Sequence, residues 1–424
     1  MARVLILSIA YYPVELPVTF RVASFARWLP EHGYSVRVLA PAWNKENSRK
    51  ITYISGAIAH SVPDERKAEI VNFPAIPTML SDWKGKYPSL TSPGNPDLIG
   101  QMAAAGRQLY QREPFDVIIT TAPTDVSMLI AADQLARELS VPWVADKRDI
   151  AGQWPEKRDA GLSGMAVFLA RKLTRVRKRW IAAETELCNR AFVTTTVSDS
   201  LAGILRMQGV RRVELVVNGY EEEDFEVQPI RGAKFSLQYF GNFNLYFEIR
   251  PLLDALDKLL DDGKIDMADF EVVFRGSQAA YFIEPQVHGR LCQKIVKAKP
   301  HITKREAVAR MKGSQVLLHL SFFSAKGVFT SKLSEYMAAG PPILSIPGDG
   351  DVVDSFLRDT GAGVSLGDAG AIAEYLLEHY QAWKRGKTIA HSVNPAIKEF
   401  YTRRKQAEKM ARLLDEAIAA GKTR

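Results

Sequence analysis

Cysteine is nearly missing from this chain. Cys188 and Cys292 are its only two in 424 residues, which leaves no disulfide framework and no zinc-ligand spacing and implies a reducing compartment. Long apolar runs are missing as well. No stretch reaches the roughly 18 uncharged apolar residues of a bilayer span, so nothing is expected to cross a membrane. The amino-terminal run VLILSIA stops after seven residues, at Tyr11, Tyr12 and Pro13. No small-residue cleavage site follows it, which argues against a signal peptide and for a buried first strand. No carboxylate cluster of the metal-binding kind stands out, and no metal is expected. There is no repeat of short fixed period. Basic and aromatic residues do not interleave as they do in nucleic-acid binders, and no nucleic-acid partner is expected.

What remains is the composition of a soluble globular protein, 46% hydrophobic and 25% charged. The length exceeds one ordinary core, and two domains of about 200 residues are expected. The net charge of +8 is mild for this length and matters only where it is concentrated.

Short apolar runs alternate with helical patterns through the first half. RVLILSI, GYSVRVLAP, FDVIITTAP, VPWVADKRD, RAFVTTTVS and VELVVNG read as strands. Residues 21–31, 97–112 and 125–138 read as helices, and residues 42–98 contain a polar, Pro-rich region. Continuous apolar strands separated by amphipathic helices imply a parallel, doubly wound sheet. The sequence turns polar around EEDFEVQPIRGAK and the pattern restarts. FSLQYFG, FEVVFRG, SQVLLHLS, PPILSIP and GAGVSLG are strands of a second sheet, with helices over 249–262 and 303–312. The tail NPAIKEFYTRRKQAEKMARLLDEAIAAG reads as one long helix. The fold class is therefore α/β, two Rossmann-like doubly wound domains facing across a cleft. The expected domains are 1–225, 226–395, and a helix over 396–424 that crosses back to the first.

Ligands of such sheets bind at the carboxyl ends of the strands. The most informative loop there is TSKLSEYMAAGPPIL. Thr330 or Ser331 can cap the following helix, whose first N–H groups attract anions. Lys332 in the first turn opposes the helix dipole, and a bound diphosphate would justify it. Glu335, one turn on, can accept hydrogen bonds from vicinal hydroxyls such as those of a ribose. A plain i,i+3 surface pair of Lys332 and Glu335 is the competing reading. In VADKRDIAGQWP, Asp146, Lys147, Arg148 and Asp149 follow a buried strand directly. Asp149 is a candidate general base and Arg148 a candidate cation; a structural Arg–Asp pair pinning the loop is equally open. Residues 166–181 form a basic amphipathic helix. It can be a core helix with a solvated face, or it can sit on an anionic membrane surface. His32 reads as a helix-end residue, and His60 and His319 carry no pairing signal.

KGVFTSKLSEYMAAGPPIL resembles the nucleotide-sugar segment of retaining glycosyltransferases of the family-four type, which have the GT-B fold. YYPVELPVTFRVASFARWLPEHGYSVRVLAP, TTTVSDSLAGILRMQGVRRVELVVNGYEEEDF and EFYTRRKQAEKMARLL are similar to further segments of that family, in the same order. FDVIITTAP with PWVADKRDIAGQWP is similar to a bacterial polysaccharide subgroup. The resemblance implies transfer of a sugar from a nucleotide diphosphate sugar, UDP- or GDP-linked, to a polysaccharide or lipid-linked glycan, with retention. It implies that Lys332 contacts the diphosphate, Glu335 the ribose, and Ser331 and Thr330 the phosphates. Gly276 would let the nucleotide approach the backbone, and Pro300, His301 and Ile302 would flank the base. Asn218 and Gly219 mark the interdomain turn, where a glycine permits a positive φ. Two positions depart from the pattern. Gly327 stands where a second glutamate is usual and Asn242 where an arginine is usual, with Arg250 the nearest cation. Arg21 or Lys326 could supply the charge, and Arg21 and Lys147 are assigned to the acceptor side. The expected location is cytoplasmic, including the inner face of the cell membrane. A sugar-nucleotide epimerase of the same fold and a non-catalytic sugar-nucleotide-binding protein are the alternatives.

Overall fold

The computed structural model describes residues 1–12, 14–41, 58–59, 69–73, 94–122, 126–153, 165–243, 247–322, 326–387 and 393–422. The chain divides into two compact units, Met1–Val217 with Arg403–Arg424, and Asn218–Thr402.

The first unit is built on β1 (Ala2–Ser8), β2 (Val14–Glu15), β3 (Tyr34–Pro41), β4 (Ile58–Ala59), β5 (Glu69–Phe73), β6 (Val117–Ala122), β7 (Trp143–Lys147), β8 (Val193–Thr196) and β9 (Val213–Leu215). Seven of these form a parallel sheet in the order β5-β3-β1-β6-β7-β8-β9, and β2 pairs with β4 in a separate antiparallel ribbon. Val4, Leu5, Ile6 and Leu7 of β1 are all fully buried, as expected of a strand covered on both faces. Its first helix starts at Pro17, whose fixed φ suits a first turn. A 3-10 turn, Leu29–His32, then ends on Gly33 at φ 84°. The carboxy-terminal helix Arg403–Lys422 belongs to this unit and buries Met410 and Leu414 in the same core as Ile6 and Val38.

The second unit carries β10 (Phe235–Phe240), β11 (Phe270–Arg275), β12 (Val296–Lys299), β13 (Val316–Leu320), β14 (Ile343–Ile346) and β15 (Gly363–Ser365). Their order is β12-β11-β10-β13-β14-β15, all parallel. Helix Arg250–Asp261 buries Leu252, Leu253, Leu256 and Leu259, an apolar stripe at helical spacing, against Phe235 and Phe270.

Each sheet reverses its strand order once, between β1 and β6 in the first unit and between β10 and β13 in the second. The carboxyl ends at such reversals are where open α/β sheets hold ligands.

Three expectations need adjusting. The first unit gives way to the second after Val217, eight residues before the expected 225 boundary. The tail is two helices, Pro395–Phe400 and Arg403–Lys422. They break at Tyr401–Thr402, where Tyr401 O accepts from Tyr220 N at 3.0 Å and Thr402 Oγ1 donates to Glu399 O at 2.8 Å. Gly219 does not use a positive φ; instead the Asn218 side chain donates to Phe329 O at 2.8 Å, holding the turn against the loop before residue 330. Among the described residues no helix is long and apolar enough to cross a membrane. His60 and the side chains of residues 165–174 lie outside the described residues.

Candidate functional site

The second unit's reversal point is built from three neighbouring pieces: the end of β10, the end of β11, and the start of helix Ser331–Ala339. That helix docks through Leu333, Tyr336 and Met337. The buried Tyr336 hydroxyl accepts from Phe240 N at 2.8 Å, satisfying the end of the strand. Thr330 occupies the N-cap position with extended dihedrals, but its hydroxyl makes no capping bond and is buried without a partner. The expected Thr330 side-chain cap is therefore not formed; Leu333 N donates to Thr330 O at 3.2 Å, and among the described residues no side chain caps the first turn.

Lys332 is half-buried. Its ammonium donates to the Tyr239 hydroxyl at 2.9 Å and lies 4.4 Å from the centre of that ring. The hydroxyl in turn donates to Asn242 O at 2.8 Å, and burial holds the phenol far above its usual range. Desolvation pushes Lys332 down to about 8, with the Glu335 charge acting in the opposite direction. Gly241 makes this position accessible. It sits at φ 141°, and a Cβ there would stand 2.4 Å from Lys332 Nζ. Gly276 has a different neighbour, since its own Cβ would fall 1.9 Å from Gly241 O. The expectation that Gly276 admits a nucleotide gives way to a packing reason: the two loops touch backbone to backbone.

Glu335 pairs with Lys304, not with Lys332, and Lys304 also lies 4.0 Å from Asp224 Oδ2. Lys304 opens helix Lys304–Gly313, capped by Thr303 Oγ1, which accepts from Glu306 N. His301 is exposed in the loop just before it, and Arg250 is exposed at the start of its own helix. Asn242, where an arginine was expected, accepts from Ser277 Oγ and so joins the β10 and β11 loops. Gly327, where a glutamate was expected, donates its N–H to Asp351 Oδ2 at 2.6 Å. Lys326 is exposed.

In the first unit the DKRD quartet splits by face. Lys147 is fully buried and pairs with Glu184 Oε1 at 2.8 Å, both side chains 0% exposed. Asp146 takes Arg21 Nε at 2.8 Å and Nη2 at 2.7 Å, and Thr195 Oγ1 at 2.7 Å. Arg21 also donates to the carbonyls of Val216 and Val217. The acceptor-side assignment of Arg21 and Lys147 is corrected on this ground: both charges are committed to buried carboxylates that hold the sheet together. The same holds for Arg21 as a substitute phosphate cation. Arg148 and Asp149 are half-buried, and Asp149 Oδ1 accepts from Gln153 Nε2 at 3.3 Å. On the basic helix Arg175, Lys178 and Arg179 are exposed, whereas Arg177 reaches back to the carbonyls of Ala151 and Gly152.

Tyr239 and Lys304 join the second unit's site without having been singled out, and His319, read as carrying no pairing signal, proves to be paired. His319 is buried at the end of β13, with Nδ1 2.9 Å from Ser345 Oγ, which is itself 2.8 Å from Ser321 Oγ. Lys304 carried a signal: like Lys332, it is a lysine set against the dipole in a helix's first turn.

Residues 18–221 match the family described as Glycosyl transferase 4-like domain. A search of curated proteins found no match. Several solved structures are similar over nearly the whole chain. Sucrose-phosphate synthase from Thermosynechococcus elongatus is 14% identical with a TM-score of 0.68, over 99% of this chain and 100% of that one. A glycosyltransferase from Rickettsia africae is 11% identical with a TM-score of 0.66, over 98% and 99%. UDP-GlcNAc 2-epimerase from Neisseria meningitidis, bound to UDP-GlcNAc, is 12% identical with a TM-score of 0.56, over 98% and 100%. At these identities the likeness is one of fold, and that fold is GT-B. The domain match, over residues 18–221, adds a likeness to a glycosyltransferase family in the first unit.

Proposed function

We propose that the chain transfers a sugar from a nucleoside diphosphate sugar, UDP- or GDP-linked, to a hydroxyl of a polysaccharide or lipid-linked glycan, with retention. One observation carries the reading. The Lys332 ammonium is desolvated at the first turn of helix Ser331–Ala339, against the Gly241 backbone at the strand reversal, with Glu335 one turn along. A diphosphate is the ligand that both the helix N–H groups and the lysine favour.

In the reaction the bond from the anomeric carbon to the diphosphate oxygen breaks, and one from that carbon to the acceptor oxygen forms. Lys332 and the helix amino terminus hold the charge that develops on the departing diphosphate. Glu335 accepts from the ribose hydroxyls through the oxygen that Lys304 leaves open. The acceptor proton passes to the departing phosphate oxygen or to a base, for which Asp149 is the candidate. This reading calls for no metal. An epimerase would need no acceptor, and the likeness to an epimerase of the same fold keeps that reading as the alternative.

The exposed Arg175, Lys178 and Arg179 favour an anionic bilayer as the place where a lipid-linked acceptor is met. The two buried free thiols, Cys188 and Cys292, fit a reducing, cytoplasmic setting.

The test is a thermal-shift panel of uridine, guanosine, thymidine and adenosine diphosphate sugars, followed by nucleoside diphosphate release with and without lipid-linked acceptors. Release that requires acceptor is expected. Turnover of the donor without acceptor would favour the epimerase; binding with no release on any acceptor would favour a non-catalytic protein.

A further inference from the structure

The first unit has its own strand reversal, between β1 and β6, and a buried polar atom there has no partner. Ser8 and Thr121 stand opposite each other there in register. Ser8 Oγ donates to Ala10 O at 2.7 Å. Thr121 is 0% exposed, and its Oγ1 has no hydrogen-bond partner. One strand further, in the same row, is Asp146. Its carboxylate is already taken by Arg21 and Thr195. Two residues beyond Asp146, just past the end of β7, comes Arg148. Its Nε is buried and also makes no hydrogen bond.

Asp149, the nearest carboxylate in sequence, does not satisfy that guanidinium. It accepts from Gln153 Nε2, and Gln153 Oε1 accepts from Ile150 N at 2.8 Å, so the loop closes on itself. A buried donor left unmade costs stability. Here two such groups lie at the carboxyl ends of neighbouring strands, where doubly wound sheets hold ligands. A planar guanidinium presents paired donors that match phosphate oxygens, and a threonine hydroxyl adds a third. Burial draws the Arg148 pKa down and the nearby Arg21 charge adds to this, against Asp149 and Asp146. An oxyanion ligand would relieve both effects.

We propose that Arg148 and Thr121 form an oxyanion subsite in the first unit, which holds a phosphate group carried by the acceptor. This deepens the reading above and rests on it for the identity of the acceptor. It moves Arg148 from stabilising the departing diphosphate to binding the other substrate.

Pyrophosphate is the probe, titrated into full-length protein carrying Lys332→Ala and Glu335→Ala together. One remaining site is expected. Adding Arg148→Gln should weaken it by about tenfold or more, the scale of a charge-assisted hydrogen bond. Thr121→Val should weaken it by about threefold, and Arg148→Lys should fall between, keeping charge without the planar fork. Melting temperatures of the three variants separate misfolding from lost binding. In turnover assays, Arg148→Gln should raise KM for a diphosphate-linked lipid acceptor. It should leave KM for the same glycan without phosphate, and the donor Kd, unchanged. No pyrophosphate binding in the double variant, or binding indifferent to residue 148, would overturn the subsite. A raised donor Kd with an unchanged acceptor KM would hand Arg148 to the donor's own diphosphate and overturn the acceptor assignment. If the double variant still binds nucleotide sugar, the second unit's site falls instead, and the subsite is judged on pyrophosphate alone.

Discussion

Lys332 and Tyr239 hold each other in a fixed relation: the ammonium is 2.9 Å from the hydroxyl and 4.4 Å from the ring centre. The lysine thus leans on a group that stays neutral, and its charge is not cancelled before a ligand arrives. The tyrosine hydroxyl is kept oriented by Asn242 O, leaving its lone pair for the ammonium. Desolvation pulls Lys332 to about 8, a cost that the proposed diphosphate would offset.

The first prediction concerns pH. Below its pKa Lys332 carries the charge proposed to bind the diphosphate; as pH rises through about 8 the free protein loses that charge. Donor affinity should therefore fall between pH 7 and 9, approaching tenfold per unit above the pKa, which is about 1.4 kcal/mol per unit. Calorimetric titration of the preferred nucleotide sugar across that range checks it. Lys332→Ala should abolish the pH dependence and weaken binding strongly. Tyr239→Phe keeps the ring and should cost only a few-fold in affinity, on the order of one neutral hydrogen bond. A flat pH profile in the unaltered protein would remove Lys332 from the diphosphate.

The second concerns Glu335 and Lys304. Their ion pair is half in solvent, with Lys304 44% exposed and Glu335 13%. Its own contribution to stability is therefore no more than about 1 kcal/mol. On the proposed reading it fixes one carboxylate oxygen and leaves the other for the ribose. Glu335→Ala should abolish donor binding. Lys304→Met should raise the donor Kd by about two- to fivefold with little change in kcat, consistent with a pair of that strength, and Lys304→Arg should restore it. The Lys304→Met effect should shrink at high salt. A Lys304→Met variant that binds as tightly as the parent would show that Glu335 needs no such partner.

Much of the fold could be read ahead because the central strands are buried on both faces. VLIL in β1 and VLL in β13 are continuous apolar runs that no surface element would carry. Two of the edge strands, β5 and β12, were missed for the same physical reason. β12 is VKAK, half polar because one side of it meets solvent, and β5 lies within a polar, Pro-rich stretch. The helix dipole argument located Lys332 correctly at a first turn, and the same argument applied to Lys304 would have found its partner. The DKRD quartet could not be divided from sequence. Alternation puts Asp146 and Lys147 on opposite faces, and Arg148 lies past the end of β7. Nothing local reveals that helix Met165–Arg190 supplies Glu184 to one face while Arg21 comes from residues 17–28 to the other.

Those two buried pairs give the third prediction. Lys147→Met leaves Glu184 charged and fully buried, and Arg21→Met does the same to Asp146. Each single change should destabilise the first unit by about 3–5 kcal/mol, read as a lower urea midpoint. Lys147→Met combined with Glu184→Gln should recover most of the loss. Glutamine keeps an acceptor for Ala151 N, which Glu184 Oε2 now serves at 3.0 Å, while removing the stranded charge. A double variant as unstable as the single would mean that packing, and not charge, sets the cost.

The last prediction is acid sensitivity of the second unit. His319 is buried between Ser345 and the neighbouring β13–β14 backbone, and burial together with the Lys332 charge pushes it down to about 3. In the unfolded chain the same ring titrates near the ordinary value of about 6.5. The unfolded state therefore takes up the proton first. Stability is full above the unfolded value and is lost as pH falls from about 6.5 towards the folded value, by up to about 1.4 kcal/mol for each pH unit. His319→Asn retains a polar group for Ser345 but cannot titrate. It should lower stability at neutral pH and flatten the acid limb between pH 6.5 and 4.5. Urea midpoints measured for both proteins across that range decide the matter. If the two limbs run parallel, the acid sensitivity arises elsewhere and the His319–Ser345–Ser321 chain is simply a packed polar cluster.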